Sequence, residues 1–224
     1  MTHLDIELKL LKDECLEMFQ LVNMQLKKGL DSLLNYDKSL AREVNFYEKR
    51  VNALELKIDR DCESIFALFN PLAIDLRFVL ACLKINSNLE RIGDIADGIS
   101  RYVVESNNNF NKELLQVTQI TEMFDISLSM LNNAQDAFQV EDARLARQVF
   151  KKDDTLDAIN ANANKVIEAY IKNHPDEIDQ CLHIISMIRK LERTGDQIKN
   201  VAEEIIFFIE AKVLKHDTAA KSED

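Results

Sequence analysis

The sequence predicts an all-α protein of six long helices, arranged as a duplicated three-helix unit. Three observations predict it. The 224 residues include only four glycines and two prolines, too few for the turns of a β-sandwich or the phosphate loop of a dinucleotide-binding fold. Apolar residues recur at spacings of three and four along most of the chain, the period of an amphipathic helix. Finally, the two halves repeat. Leu40–Ala41–Arg42–Glu43–Val44 returns as Leu145–Ala146–Arg147–Gln148–Val149, 105 residues on. Leu89–Glu90–Arg91–Ile92–Gly93–Asp94 returns as Leu191–Glu192–Arg193–Thr194–Gly195–Asp196, 102 residues on. Self-similarity in the same order marks a repeated supersecondary unit.

The first helix is predicted over 2–34, ended by the polar break at 35–37. The second covers 38–69 and stops at Asn70–Pro71, because the residue before a proline avoids helical geometry. Pro71 opens the third as a first-turn residue, and that helix runs to 106. The polar stretch 106–109 is the linker, followed by helices over 112–139, 141–172 and 175–215. The first unit is therefore 1–106 and the second 110–215, with 216–224 a flexible tail that holds no apolar residue larger than Ala. Helices of roughly 30 residues exceed the usual 10–14 and point to elongated bundles.

Charge and cysteine use narrow the function. With 39 acidic against 28 basic residues the net charge is −11, which disfavours nucleic acid and anionic lipid and favours cations or a basic partner face. Cys15, Cys62, Cys82 and Cys181 are scattered without a C-x-x-C pair and read as reduced core thiols of a cytoplasmic protein. Asp5, Glu7, Lys9 and Lys12 interrupt the apolar residues at the start, so no signal peptide is read there. Apolar runs such as 78–83 and 205–209 are too short to span a membrane.

The chemistry lies on the third and sixth helices. One stripe of the third stays apolar through Ile74, Phe78, Ala81, Ile85, Leu89, Ile92, Ala96, Ile99 and Val103. The opposite stripe begins with Leu72, Leu76, Val79 and Leu83, then turns acidic at Glu90, Asp94 and Asp97. In the sixth helix Ile178 and Ile185 give way to Glu192 and Asp196 in the same manner. Such a line either emerges into solvent or meets a cation. Carboxylates at i and i+4 stack on one helix face and repel by a few tenths of a kcal/mol unless compensated. The fifth helix carries a matching pair, Asp153 and Asp157, whose counterpart in the second helix is Glu48 and Asn52. Facing pairs of this kind are how helix bundles build oxygen-ligated metal sites. Gly93 and Gly195 directly precede the Asp of each pair, which fits close helix packing or the approach of a ligand. Arg91 and Arg193 adjoin the pairs, placed for an ion pair or a phosphate. None of His3, His174, His183 or His216 follows a Glu by three residues, and no nucleophile–base constellation or glycine-rich loop is visible, so no enzyme is read.

Asn70–Pro71–Leu72–Ala73–Ile74–Asp75–Leu76–Arg77, with Leu89–Glu90–Arg91–Ile92–Gly93–Asp94–Ile95–Ala96–Asp97, closely resembles the PhoU family. Asp153–Asp154–Thr155–Leu156–Asp157 and Leu191–Glu192–Arg193–Thr194–Gly195–Asp196 extend the resemblance to essentially residues 5–215. It implies two pseudo-symmetric three-helix bundles in a cytoplasmic homodimer, peripheral to membrane complexes. It also implies a negative regulator of phosphate uptake and starvation signalling that binds the ATPase subunit of the phosphate ABC transporter and its sensor histidine kinase. An accessory of a phosphate permease, or a metal-binding helical scaffold, are the alternatives. Metal is expected at Glu192, Asp196, Asp153 and Asp157, with Glu90, Asp94 and Glu48 as a poorer counterpart because Asn52 carries no charge. Oxygen ligands suit magnesium, calcium or manganese, and the family resemblance adds iron and zinc. Asn70 stands where the family often has Gln, and Lys199 replaces the counterpart of Asp97.

Overall fold

Short polar side chains start most of the helices. The computed structural model describes residues 2–214. α1 (His3–Asn35) opens with a reciprocal cap, in which the Thr2 hydroxyl accepts from the Asp5 N–H at 3.1 Å and the Thr2 N–H donates to the Asp5 carboxylate at 2.6 Å. The Asp37 carboxylate accepts from the N–H groups of Ser39 and Leu40 to open α2 (Lys38–Phe69). α3 (Ile74–Glu105) has no side-chain cap. Asn111 caps α4 (Lys112–Val117), which is followed by α5 (Ile120–Val140). Asp142 caps α6 (Ala143–Asn173), and a 3-10 turn over Pro175–Glu177 leads into α7 (Ile178–Glu210). No strand occurs among the described residues. No helix among them is long and apolar enough to cross a membrane.

The all-α prediction holds, and three boundaries differ from it. The fourth predicted helix is broken into α4 and α5. There the Thr118 hydroxyl donates to the Leu114 carbonyl at 2.6 Å and Gln119 turns left-handed at φ 53°, which ends the ladder. Pro71 does not sit in the first turn of α3. Asn70 closes α2 in the left-handed region, Ala73 follows at φ 47°, and regular helix begins only at Ile74. α7 ends at Glu210 because Ala211 takes φ 57° and its N–H donates back to the Phe207 carbonyl at 2.9 Å. The expected tail at 216–224 lies outside the described residues.

α1, α2 and α3 pack on one another, as do α5, α6 and α7. The halves meet along α3–α7 and α1–α5, so one buried core runs through both. Four aromatic rings mark the seam. Phe138 of α5 lies 5.8 Å from Phe19, 6.1 Å from Phe78 and 6.0 Å from Phe208, centroid to centroid. Asn23 donates to Asn132 at 2.6 Å, and Lys84 pairs with Glu204 at 3.1 Å across the same junction. The apolar stripe of α3 is buried from Ala81 onward, whereas Ile74 at its start is exposed. All four cysteines are free and buried.

Candidate metal centre

The first-half acids converge where α3 passes closest to α1 and α2. Gly93 makes that approach possible. A Cβ there would lie 2.9 Å from Gln25 Oε1, 3.1 Å from Glu48 Oε2 and 3.2 Å from Val51 Cγ1. With the backbones this close, Glu48 of α2 faces Glu90 and Asp94 of α3, one oxygen of each lying within 4.8 Å of the others. Glu48 is buried, Glu90 half-buried and Asp94 exposed, so the trio runs from core to solvent. Gln25 of α1 donates to Glu48 Oε2 at 2.8 Å. Glu48 Oε1 and Gln25 Oε1 are buried without a hydrogen-bond partner.

Burial pushes the Glu48 carboxyl up to about 7; the Gln25 bond works the other way, and the charges of Asp94 and Asp97 add to the rise. Glu90 is raised by burial, then by Asp94 and Glu55. Three carboxyls held this close, two of them raised by burial and with buried oxygens unpaired, form a donor set that a cation would satisfy. Asp97 is not part of the group. It turns toward Asn45, which donates at 3.2 Å, and toward Arg101, whose Nε donates at 2.8 Å. Asn52 is exposed.

The second-half acids meet a protein cation instead. Gly195 repeats the close approach, with a Cβ placed 2.7 Å from Asp153 Oδ1 and 2.6 Å from Leu156 Cδ1. Lys199 of α7 reaches the buried Asp153 carboxylate and pairs with Asp196 at 2.8 Å. Burial opposes the Lys199 charge, but the bonds to Asp153 and Asp196 carry its pKa upward. Glu192 is raised by burial and by Asp196, Asp157 and Asp153. Asp157 is exposed. In the second-half group Lys199 pairs with two of the four acids, whereas the first-half group brings three carboxylates together with no lysine or arginine salt-bridged to them among the described residues.

Sequence comparison places this geometry in a family. The sequence model of the PhoU domain matches twice, over residues 15–103 and 120–205. The chain belongs to the PhoU family. A Thermotoga maritima protein named phosphate-specific transport system accessory protein PhoU homolog 1 is 30% identical over 214 residues, covering 95% of this chain and 91% of its own. A Pseudomonas aeruginosa PhoU homolog is 31% identical over 212 residues, covering 94% and 86%. The crystal structure of PhoU from Pseudomonas aeruginosa superposes with a TM-score of 0.85 at 31% identity, covering 93% of this chain and 99% of that one. The Streptococcus pneumoniae phosphate transport system regulatory protein PhoU gives 0.81 at 28%, covering 94% and 99%. The two matched PhoU segments place one acidic group in each half, as the L-E-R-x-G-D repeat requires.

Gln25 and Glu55 were missed by sequence reasoning. Gln25 is an isolated polar residue among Val22, Leu26 and Gly29 on the buried face of α1, and that interruption was the available signal. Glu55, whose carboxyl is raised by burial and then by Asp59 and Asp94, lies two turns along α2 from Glu48 and extends the acidic line. Arg91 and Arg193 are exposed. His174 stacks on Tyr170 at 4.2 Å and His3 on Phe69 at 5.3 Å, packing roles that leave neither near the acids.

Proposed function

We propose that this PhoU-family chain is an accessory protein of a phosphate transport system and a negative regulator of phosphate uptake and phosphate-starvation signalling. In this reading it binds the ATPase subunit of the phosphate-specific ABC transporter and a sensor histidine kinase, as a cytoplasmic homodimer without catalytic activity. The units 1–106 and 110–215 are its two working halves. The observation that carries the reading is the match along both halves to relatives named as accessory proteins of phosphate-specific transport.

Metal belongs to the same reading. Glu48, Glu90 and Asp94 would hold a divalent or ferric ion, and the unpaired oxygens of Glu48 and Gln25 support it. Hard carboxylate oxygens suit magnesium or manganese, with iron and zinc also compatible with carboxylate ligation. An ion held by these residues would supply positive charge that offsets the repulsion among their carboxylates.

Deleting the gene tests the regulatory part. Phosphate-starvation genes are expected to stay on in rich phosphate. Unchanged expression sinks the reading and leaves an accessory of a phosphate permease or a helical scaffold. A pull-down from cells grown with and without phosphate should recover the ATPase subunit and the kinase. For the metal, elemental analysis of purified protein should find an ion that is lost in Glu48→Gln with Asp94→Asn.

A further inference from the structure

The two halves treat their carboxylates differently: among the described residues Glu48, Glu90 and Asp94 bring one oxygen each within 4.8 Å of the others, and no second-half trio does so. In the first, no lysine or arginine among the described residues closes an ion pair on Glu48, Glu90 or Asp94. The residue at the Lys199 position of that half is Asp97, and its positive partner, Arg101, sits one turn further along α3 and pairs with Asp97 at 2.5 Å, outside the trio. In the second half the cation is inside the group. Lys199 extends from α7 to take Asp196 on its own helix and Asp153 on α6, so it bridges the two helices that the metal was expected to bridge.

We infer that Lys199 is a built-in counter-ion that closes the second-half carboxylate group to metal, so that the chain binds metal in its first half alone. The inference rests on the reading of the first-half trio as a cation site. Its physical basis is competition. A side chain tethered one turn away presents its ammonium at an effective concentration on the order of millimolar or above. An incoming ion must displace that ammonium from Asp153 and Asp196 before it finds more than Asp157 and Glu192 to bind. Asp153 is also the most buried of the four acids, and its side chain is only 5% exposed. The ammonium therefore covers the ligand that is hardest for solvent to reach. Removing Lys199 should free two carboxylates and tighten a second-half ion by about tenfold or more, the equivalent of a partly buried charge pair.

The test uses the full chain and manganese(II) alone, with bound ion counted from the electron paramagnetic resonance of the free ion. Tight binding by wild type should disappear in Glu48→Gln with Asp94→Asn. Binding that survives in that double variant and is lost only with Asp153→Asn overturns the inference while leaving a metal-binding PhoU protein intact. Adding Lys199→Asp to the double variant should create tight binding that Asp153→Asn with Asp196→Asn abolishes. No added manganese in a chain of unchanged helicity overturns the inference. Lys199→Met, which removes the charge without adding a ligand, should lower the melting temperature and recover it with manganese; a loss without recovery counts against the inference. If wild type binds no manganese but Lys199→Asp does, the first-half metal reading fails and the role of Lys199 stands.

Discussion

Replacing Gly195 by alanine asks whether the close approach of α6 and α7 is a real constraint. All four glycines lie inside helices and none has positive φ, so alanine should favour the folded helix by about 0.5–1 kcal/mol at each. The surroundings decide the sign. At Gly29 the added methyl lies 3.5 Å from Ser100 Oγ, an ordinary contact, and at Gly98 it meets Lys190 Nζ at 2.8 Å, the free end of a long side chain. At Gly195 it meets Leu156 Cδ1 at 2.6 Å and Asp153 Oδ1 at 2.7 Å. Leu156 is fully buried and Asp153 is held by Lys199, so neither can yield without moving α6. Overpacking of this kind costs about 1–3 kcal/mol. Set against the helix contribution, Gly195→Ala should lose roughly 1–2 kcal/mol, or about 4 °C in a chain of this length. Gly29→Ala and Gly98→Ala should instead melt about 2 °C higher. Urea unfolding followed by circular dichroism reads all three. A Gly195→Ala protein as stable as wild type, or a Gly98→Ala protein less stable than it, refutes the argument from contact distance.

In chelator, Glu48 should make the protein less stable as pH rises from about 4.5 to about 7, because a carboxyl with a raised folded pKa binds its proton more tightly folded than unfolded. Glu48→Gln should flatten that fall by roughly 3 kcal/mol, and an identical pH profile for the variant argues against it. Phe138→Ala should cost about 3–5 kcal/mol and still give one unfolding transition, since the ring packs against Phe19, Phe78 and Phe208 from both halves; two separated transitions would show independent halves. Cys62 and Cys82, fully buried and with thiols pushed up by burial, should resist a thiol reagent in the native protein and react in denaturant. Rapid labelling of either without unfolding contradicts the core assignment.

The all-α class, the duplication and the positions of the acids were legible in the sequence. Each is a local property: a 3.6-residue period, a repeated Leu-Glu-Arg-x-Gly-Asp string, carboxylates four apart on one face. Glu48, Glu90 and Asp94 were all visible in that pattern, and the prediction of close helix packing at Gly93 and Gly195 carried through to the tertiary contacts. The break at Thr118 was not visible, because Thr and Gln occur readily in helices and the competing hydroxyl bond to Leu114 is one choice among several. Neither was the late start of α3, where Asn70 and Ala73 take left-handed backbones that no proline rule encodes. Which acidic group has no lysine or arginine salt-bridged to it among the described residues depends on tertiary contacts. Counting charges along each helix favoured the second half, whereas Lys199 crosses to Asp153 and Arg101 turns away with Asp97. A helix wheel gives the direction of a side chain around one axis. Which charge meets which depends on distances between axes, and electrostatic energy is set by those distances.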